Sequence, residues 1–160
     1  MNALDLLTEQ HEEVDSLIQR IEASEGDAKE VLFQELADKV AAHAKIEEKI
    51  FYPAVMAKQT EEMLLESVEE HLAVKRVLSD LIELDPNDDQ FDAKLAVMKH
   101  QLEHHAHEEE EAMLFPKVKK IIDEDQLEAL GGEMMALFDE LLAQHPSRRV
   151  PEETGEAAPL

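Results

Sequence analysis

His43 and Glu47 stand four residues apart in the stretch His-Ala-Lys-Ile-Glu-Glu-Lys-Ile-Phe-Tyr-Pro, which runs from His43 to Pro53. On a helix, positions four apart lie one turn above each other on one face. An imidazole nitrogen and a carboxylate oxygen so placed can meet at one metal ion. The pattern returns as His105-Ala-His-Glu-Glu109, and an aromatic–proline pair follows each copy, Tyr52-Pro53 and Phe115-Pro116. Another histidine precedes each copy at a similar distance: His43 follows His11 by 32 residues, and His105 follows His71 by 34.

A lone histidine on an apolar stripe is ordinarily a hydrogen-bonded core residue. An ionised glutamate is different, because burying it without a partner costs several kcal/mol. Glu47 and Glu109 stand on seams otherwise filled by Leu, Met and Ile, with no basic residue to balance them. Four histidines and two glutamates on such seams therefore point to metal. Nitrogen and oxygen donors without sulfur suit iron, manganese or zinc. Two carboxylates that each bridge two ions, with two terminal histidines per ion, describe a dinuclear centre. The ferritin-like alternative requires Glu-x-x-His on two helices, and no glutamate stands three residues before any histidine.

The elements that must position these residues follow from the apolar periodicity. Residues 3–23 carry Leu4, Leu7, His11, Val14, Ile18 and Ile21 at steps of three and four, an amphipathic helix with a histidine in its seam. A second helix from about Ala28 aligns Leu32, Leu36, Val40, His43, Glu47 and Ile50, and Pro53 should kink or end it. A third, capped at Thr60 and running through Leu84, carries Leu64, Val68, His71, Leu78 and Leu81. After the loop Asp85–Asp89, the fourth aligns Phe91, Leu95, Met98, Leu102, His105, Glu109 and Ala112. The expected fold is all-α, an up-down-up-down four-helix bundle over residues 1–145 with a short extra C-terminal helix ending near Ala143. Residues 146–160, with three prolines and no periodicity, read as a disordered tail. In antiparallel hairpins of these lengths the four histidines fall at one level of the bundle.

Composition removes whole classes of function. With 39 acidic against 15 basic residues and a formal charge of −24, the surface field repels nucleic acid and anionic lipid. Without cysteine there are no disulfides, thiolate zinc sites, iron–sulfur clusters or cysteine nucleophiles. No apolar run approaches a membrane span, and a cytoplasmic location is the expectation.

The order His, His-x-x-x-Glu, His, His-x-x-x-Glu, with an aromatic–proline pair after each glutamate, resembles the hemerythrin-like HHE cation-binding domain family over about residues 1–120. The resemblance implies a non-haem centre of two iron ions bridged by the two glutamates and an oxo or hydroxo group. By matching position, its metal ligands would be His11, His43, Glu47, His71, His105 and Glu109. It also implies a small ligand or substrate, either a diatomic or a peroxide, and a role in oxidative or nitrosative stress. A catalase-like or nitric-oxide-reactive oxidoreductase and a non-enzymatic iron, oxygen or redox sensor of the same fold both remain open. Oxygen-carrying members place a fifth histidine one turn from the third-helix ligand and end the last motif in aspartate. Here Ser67 and Lys75 flank His71 and the motif ends in glutamate, so a plain oxygen carrier is the less expected member.

One spacing is irregular. Glu47 precedes its proline by six residues, but Glu109 precedes Pro116 by seven. Glu110 restores six, yet one turn back from it stands Ala106, which cannot bind metal. The heptad seam selects Glu109, with a π-bulge near 110–114 to absorb the extra residue. Of the other polar residues, Asp15 is placed to accept the second ring N–H of His11. Lys75 is expected to extend toward solvent, His104 and His107 to lie on a solvated rim beside His100, and Tyr52 to fill core.

Overall fold

The computed structural model describes residues 1–160, and every regular element in it is helical. Helix α1 (Ala3–Glu22) and α2 (Gly26–Ile46) form the first antiparallel hairpin. The chain continues from α2 without a break through a π-helical segment, Glu47–Phe51, into α3 (Tyr52–Val55). Helix α4 (Glu61–Ile82) and α5 (Asp89–Glu103) form the second hairpin, and α5 runs on through a longer π-helical segment, His104–Leu114, into α6 (Phe115–Val118). The four-helix bundle is thus as the periodicity requires. No helix is long and apolar enough to cross a membrane.

Local sequence sets the boundaries. Asn2 caps α1 by accepting the Asp5 N–H at 2.9 Å, and Asp88 caps α5 through the Gln90 N–H at 2.8 Å. Asp123 and Gln126 form a reciprocal capping box at the start of α7 (Glu124–Ala143). Thr60 precedes α4, but its hydroxyl does not cap it. It donates to the Val55 carbonyl at 2.7 Å and accepts the Ala57 N–H at 3.0 Å, stapling the loop before the helix. Gly26 opens α2 at φ +63°, a backbone region that favours glycine.

Two expectations about the C-terminal part are corrected. Helix α7 is not a short appendage: its 20 residues match α1 in length, and it lies along α1 and α2. The backbone leading into α1 approaches so closely that a Cβ at Gly131 would collide with the Met1 carbonyl oxygen. Nor is the segment after Pro146 disordered. A 3₁₀-helix, Pro146–Glu153, folds back over α2 and α4 and buries Val150 among Val40, Val74 and Leu78. Asp38 accepts the Ser147 hydroxyl and backbone N–H, and Arg76 donates to the Thr154 carbonyl at 3.0 Å. Tertiary anchoring, not local propensity, orders this stretch.

The apolar interior is split. One cluster gathers Leu4, Leu7, Ile46, Phe51, Leu64, Val68, Phe115 and the inner face of α7. The other gathers Val14, Ile18, Phe33, Val40, Val74, Leu78, Phe91 and Met98. His11, His43, His71 and His105 lie near the points on their own helices where one cluster gives way to the other, forming a polar layer midway along the bundle.

Candidate metal centre

Six side chains from four helices meet in this layer. His11, His43, Glu47 and Glu110 bring ligand atoms within 4.8 Å of one another, and so do Glu47, His71 and His105, so that Glu47 belongs to both sets. His43 and His71 place Nε2 3.2 and 3.1 Å from Glu47 Oε1. His11 and His105 place Nε2 3.2 and 3.5 Å from Glu110 Oε1. The Nε2 atoms of His71 and His105 face each other at 3.1 Å. Both glutamates are fully buried.

Every inward Nε2 has an outward Nδ1 that is tied down. The Nδ1 partners are Glu111 at 2.6 Å for His11, Gln10 at 2.7 Å for His43, Glu48 at 2.8 Å for His71 and Glu70 at 2.8 Å for His105. An oxygen at Nδ1 holds the proton there and turns the Nε2 lone pair inward, the tautomer a metal requires. Buried polar atoms are ordinarily hydrogen-bonded, yet His11 Nε2, His43 Nε2, Glu47 Oε2 and Glu110 Oε1 have no such partner. These four orphaned ligand atoms all belong to the set His11, His43, Glu47 and Glu110, and together they fit a bound cation.

Tyr52 enters the same layer. Its hydroxyl donates to Glu110 Oε2 at 2.8 Å and lies 3.2 and 3.3 Å from the Nε2 atoms of His71 and His105. Phe115 holds the matching place after the second motif and stacks on His11 at a centroid distance of 6.4 Å.

Charges within the layer shift the titrations of Glu47, Glu110, His71, His105 and Tyr52. Burial opposes ionisation of Glu47, but the His43 charge and the bonds around it outweigh this and hold its carboxyl well below the usual range. Burial and the Glu47 charge together push Glu110 up. Two buried carboxylates thus divide their roles as coupled pairs do. Burial disfavours imidazolium at His105 and His71, yet Glu110, Glu47 and Glu70 raise His105 well above its usual value, and Glu47 and Glu48 raise His71. Tyr52 is pushed well above the ordinary phenol range by burial and by the Glu110 and Glu47 charges.

Residues 2–118, well over half of the chain, match the family described as Hemerythrin HHE cation binding domain. The chain belongs to this family. Among curated proteins, the chain is similar to the uncharacterized proteins Rv2633c of Mycobacterium tuberculosis and Mb2666c of Mycobacterium bovis, each 28% identical over 143 residues that cover 88% of both chains. A solved HHE cation binding domain-containing protein, the Rv2633c homolog from Mycobacterium kansasii, superposes with a TM-score of 0.80 at 26% identity, covering 96% of this chain and 94% of that one.

Five of the six expected ligand positions of the HHE pattern lie at the centre; the sixth does not. Glu109 points to the rim, where its Oε1 lies 2.8 Å from His104 Nε2, and Glu110 takes the inward place. The side chain of Glu109 is 18% exposed and that of Glu110 is 0%. The cause is backbone geometry. In each π-helical segment the hydrogen bond runs five residues back: Tyr52 N–H to the Glu47 carbonyl, and Phe115 N–H to the Glu110 carbonyl. Each segment ends just before a proline, which lacks an N–H and crowds the carbonyl four residues back. The bulge was expected near 110–114, but it begins at His104 and carries the glutamate register with it. Counting six residues back from each proline would have found both glutamates.

The flanking residues also differ from expectation. Asp15 accepts from His107 Nε2 at 2.7 Å, and it is Glu111 that holds His11. Lys75 is buried and binds both oxygens of Glu48 at 3.1 Å. His104 lies on the rim, 53% exposed, beside Glu70, Glu108 and Glu109. Burial and the neighbouring Glu70 raise the Glu109 carboxyl to about 7. Gln10, Glu48, Glu70 and Glu111 were not singled out in the sequence; adjacency to a ligand or to its facing helix is their only signal.

Proposed function

We propose that the protein is a cytoplasmic non-haem di-iron oxidoreductase acting on hydrogen peroxide, in defence against oxidative stress. The observation that carries the reading is Glu47, one fully buried carboxylate shared by two ligand sets whose histidine Nε2 atoms all face inward. His11, His43, Glu47 and Glu110 would hold one ion, and Glu47, His71 and His105 the other, with Glu110 near both. Iron would supply the electron exchange with peroxide.

The chain's own residues would orient and manage protons. Glu111, Gln10, Glu48 and Glu70 fix the four imidazoles through Nδ1. Two chains of polar side chains, joined by hydrogen bonds and close ion-pair contacts, lead from the ligands to the rim. One runs from His11 through Glu111 and His107 to Asp15, at 2.6, 2.8 and 2.7 Å. The other runs from His105 through Glu70 to His104 and Glu109. Reversible binding of a neutral diatomic needs no proton route, whereas peroxide chemistry does, and this favours peroxide over carriage of oxygen. Disproportionation of two hydrogen peroxide molecules to two water and one dioxygen balances without a further reductant. The Tyr52 hydroxyl stands between Glu110 and two ligand histidines, placed to bond an oxygen of the substrate.

The test is iron content and dioxygen evolution on protein from iron-supplied cells. Two irons per chain with peroxide-dependent dioxygen release, both lost in Glu110→Ala, is the expected result. Two irons with no turnover would overturn the enzymatic reading in favour of a sensor or oxygen-binding protein. No iron after anaerobic reconstitution would overturn the centre itself.

A further inference from the structure

A large cavity lies outside the metal layer. It is a groove of about 700 Å³ between α2, α7 and the 3₁₀-helix Pro146–Glu153, well inside the range of small-molecule sites. Its charged residues are Lys45, Lys49, Lys75, Arg148, Arg149 and the lone acid Glu153. The chain as a whole has 39 acids to 15 bases, so the groove inverts the balance of the molecule.

Pairing makes the inversion sharper. Lys45 and Lys75 both turn to Glu153, at 2.9 and 3.6 Å. Lys49, Arg148 and Arg149 are exposed and form no ion pair, although carboxylates are abundant elsewhere on the surface. Cations that could be neutralised by the protein's own acids, and are not, leave a local positive field inside a negative one. The groove also shows what it can receive, since the chain itself seats the Glu153 carboxylate there. Leu137 and Leu141 of α7 and Ala41 of α2 add a carbon wall to the same groove. A bare inorganic anion would leave that wall uncovered, whereas a carboxylate or phosphate head on an apolar body meets both sides.

We propose that this groove is a binding site for an amphipathic organic anion, with Arg148, Arg149 and Lys49 receiving the head group and Leu137 and Leu141 the apolar body. Arginine suits the role because its planar fork donates two parallel hydrogen bonds to either head group. The site depends on the C-terminal segment, which supplies both arginines, and it makes no use of the metal ligands. It therefore stands apart from the peroxide reading and can fail without it.

The test is calorimetric titration of the full-length protein, as isolated with its metal, using octanoate, octyl phosphate, octanol and inorganic phosphate. Saturable binding of one octanoate or one octyl phosphate per chain is expected, with octanol and inorganic phosphate each weaker by about tenfold or more. The tighter of the two octyl anions identifies the head group. In Arg148→Gln/Arg149→Gln the affinity should fall by about tenfold or more. The double variant Lys119→Gln/Lys120→Gln removes the same charge beyond the far end of α7, about 30 Å away along its 20 residues, and should leave the affinity unchanged. Equal weakening in both double variants would reduce the effect to net charge and overturn the site. So would inorganic phosphate binding as tightly as octyl phosphate, or no saturable binding of either octyl anion.

Discussion

Glu110 follows His105 by five residues, yet its Oε1 lies 3.5 Å from the His105 Nε2. In a regular α-helix two residues so spaced point about 140° apart around the axis. The π-helical run from His104 to Leu114 widens the turn and returns both to one face. Glu109, four residues after His105, is carried outward by the same widening. Glu110→Ala should therefore lose bound metal, and Glu109→Ala should keep it. Metal per chain by elemental analysis after dialysis checks this; retention by the Glu110 variant with loss by the Glu109 variant would restore the α-helical register.

The Tyr52 hydroxyl is a hydrogen-bond donor to Glu110 Oε2 at 2.8 Å, and neither residue is exposed. Tyr52→Phe preserves the ring and strands a buried carboxylate oxygen. The expected cost is about 1–3 kcal/mol in the metal-free protein. Urea denaturation of the two metal-free proteins measures it, and an unchanged midpoint would mean that the hydroxyl contributes no net bond.

Most of this centre was legible because its demands are periodic. His11, His43, Glu47, His71 and His105 stand on seams whose other members are core, and a polar residue on such a seam must be satisfied by something. The fold followed from the same seams. What periodicity could not give was Glu110, because a π-helix breaks the rule by which the seam was read. The competing signal, a constant distance from glutamate to proline, was present but had no α-helical partner at Ala106. The C-terminal segment was hidden for another reason. Val150, Ser147 and Glu153 are held by Val40, Asp38 and Lys45, more than a hundred residues distant in sequence. Composition and local pattern carry no trace of such contacts.

That segment yields its own prediction. Val150 is 2% exposed within the apolar cluster, and the chain around it has few other apolar anchors. Val150→Asp buries a carboxylate among aliphatic groups and should release the segment without unfolding the bundle. Trypsin should then cleave at Arg148 and Arg149 much faster than in the parent protein, while the helical circular dichroism changes little. Equal cleavage rates would mean that the segment is already loose.

The pH dependence of the metal-free protein tests the electrostatics of the layer as a whole. His71 and His105 have folded pKa values above their usual 6.5, the second well above it. They bind protons more tightly when folded, so their stabilisation is complete below about 6.5 and is lost as pH rises through the folded values. Glu110, raised from 4.5, acts in the same direction, since its ionisation is harder in the folded state. Glu47 is lowered, and its contribution falls away only in acid, well below this window. The metal-free protein should therefore lose stability as the pH rises above about 6.5. Cations bound between the same side chains replace the protons. The metal-loaded protein should show a flatter profile, and metal added near pH 7 should release protons into a weak buffer. Urea midpoints across the pH series and a proton-release titration measure both. A metal-free protein that gains stability toward alkaline pH would show that the carboxylates do not hold these histidines charged.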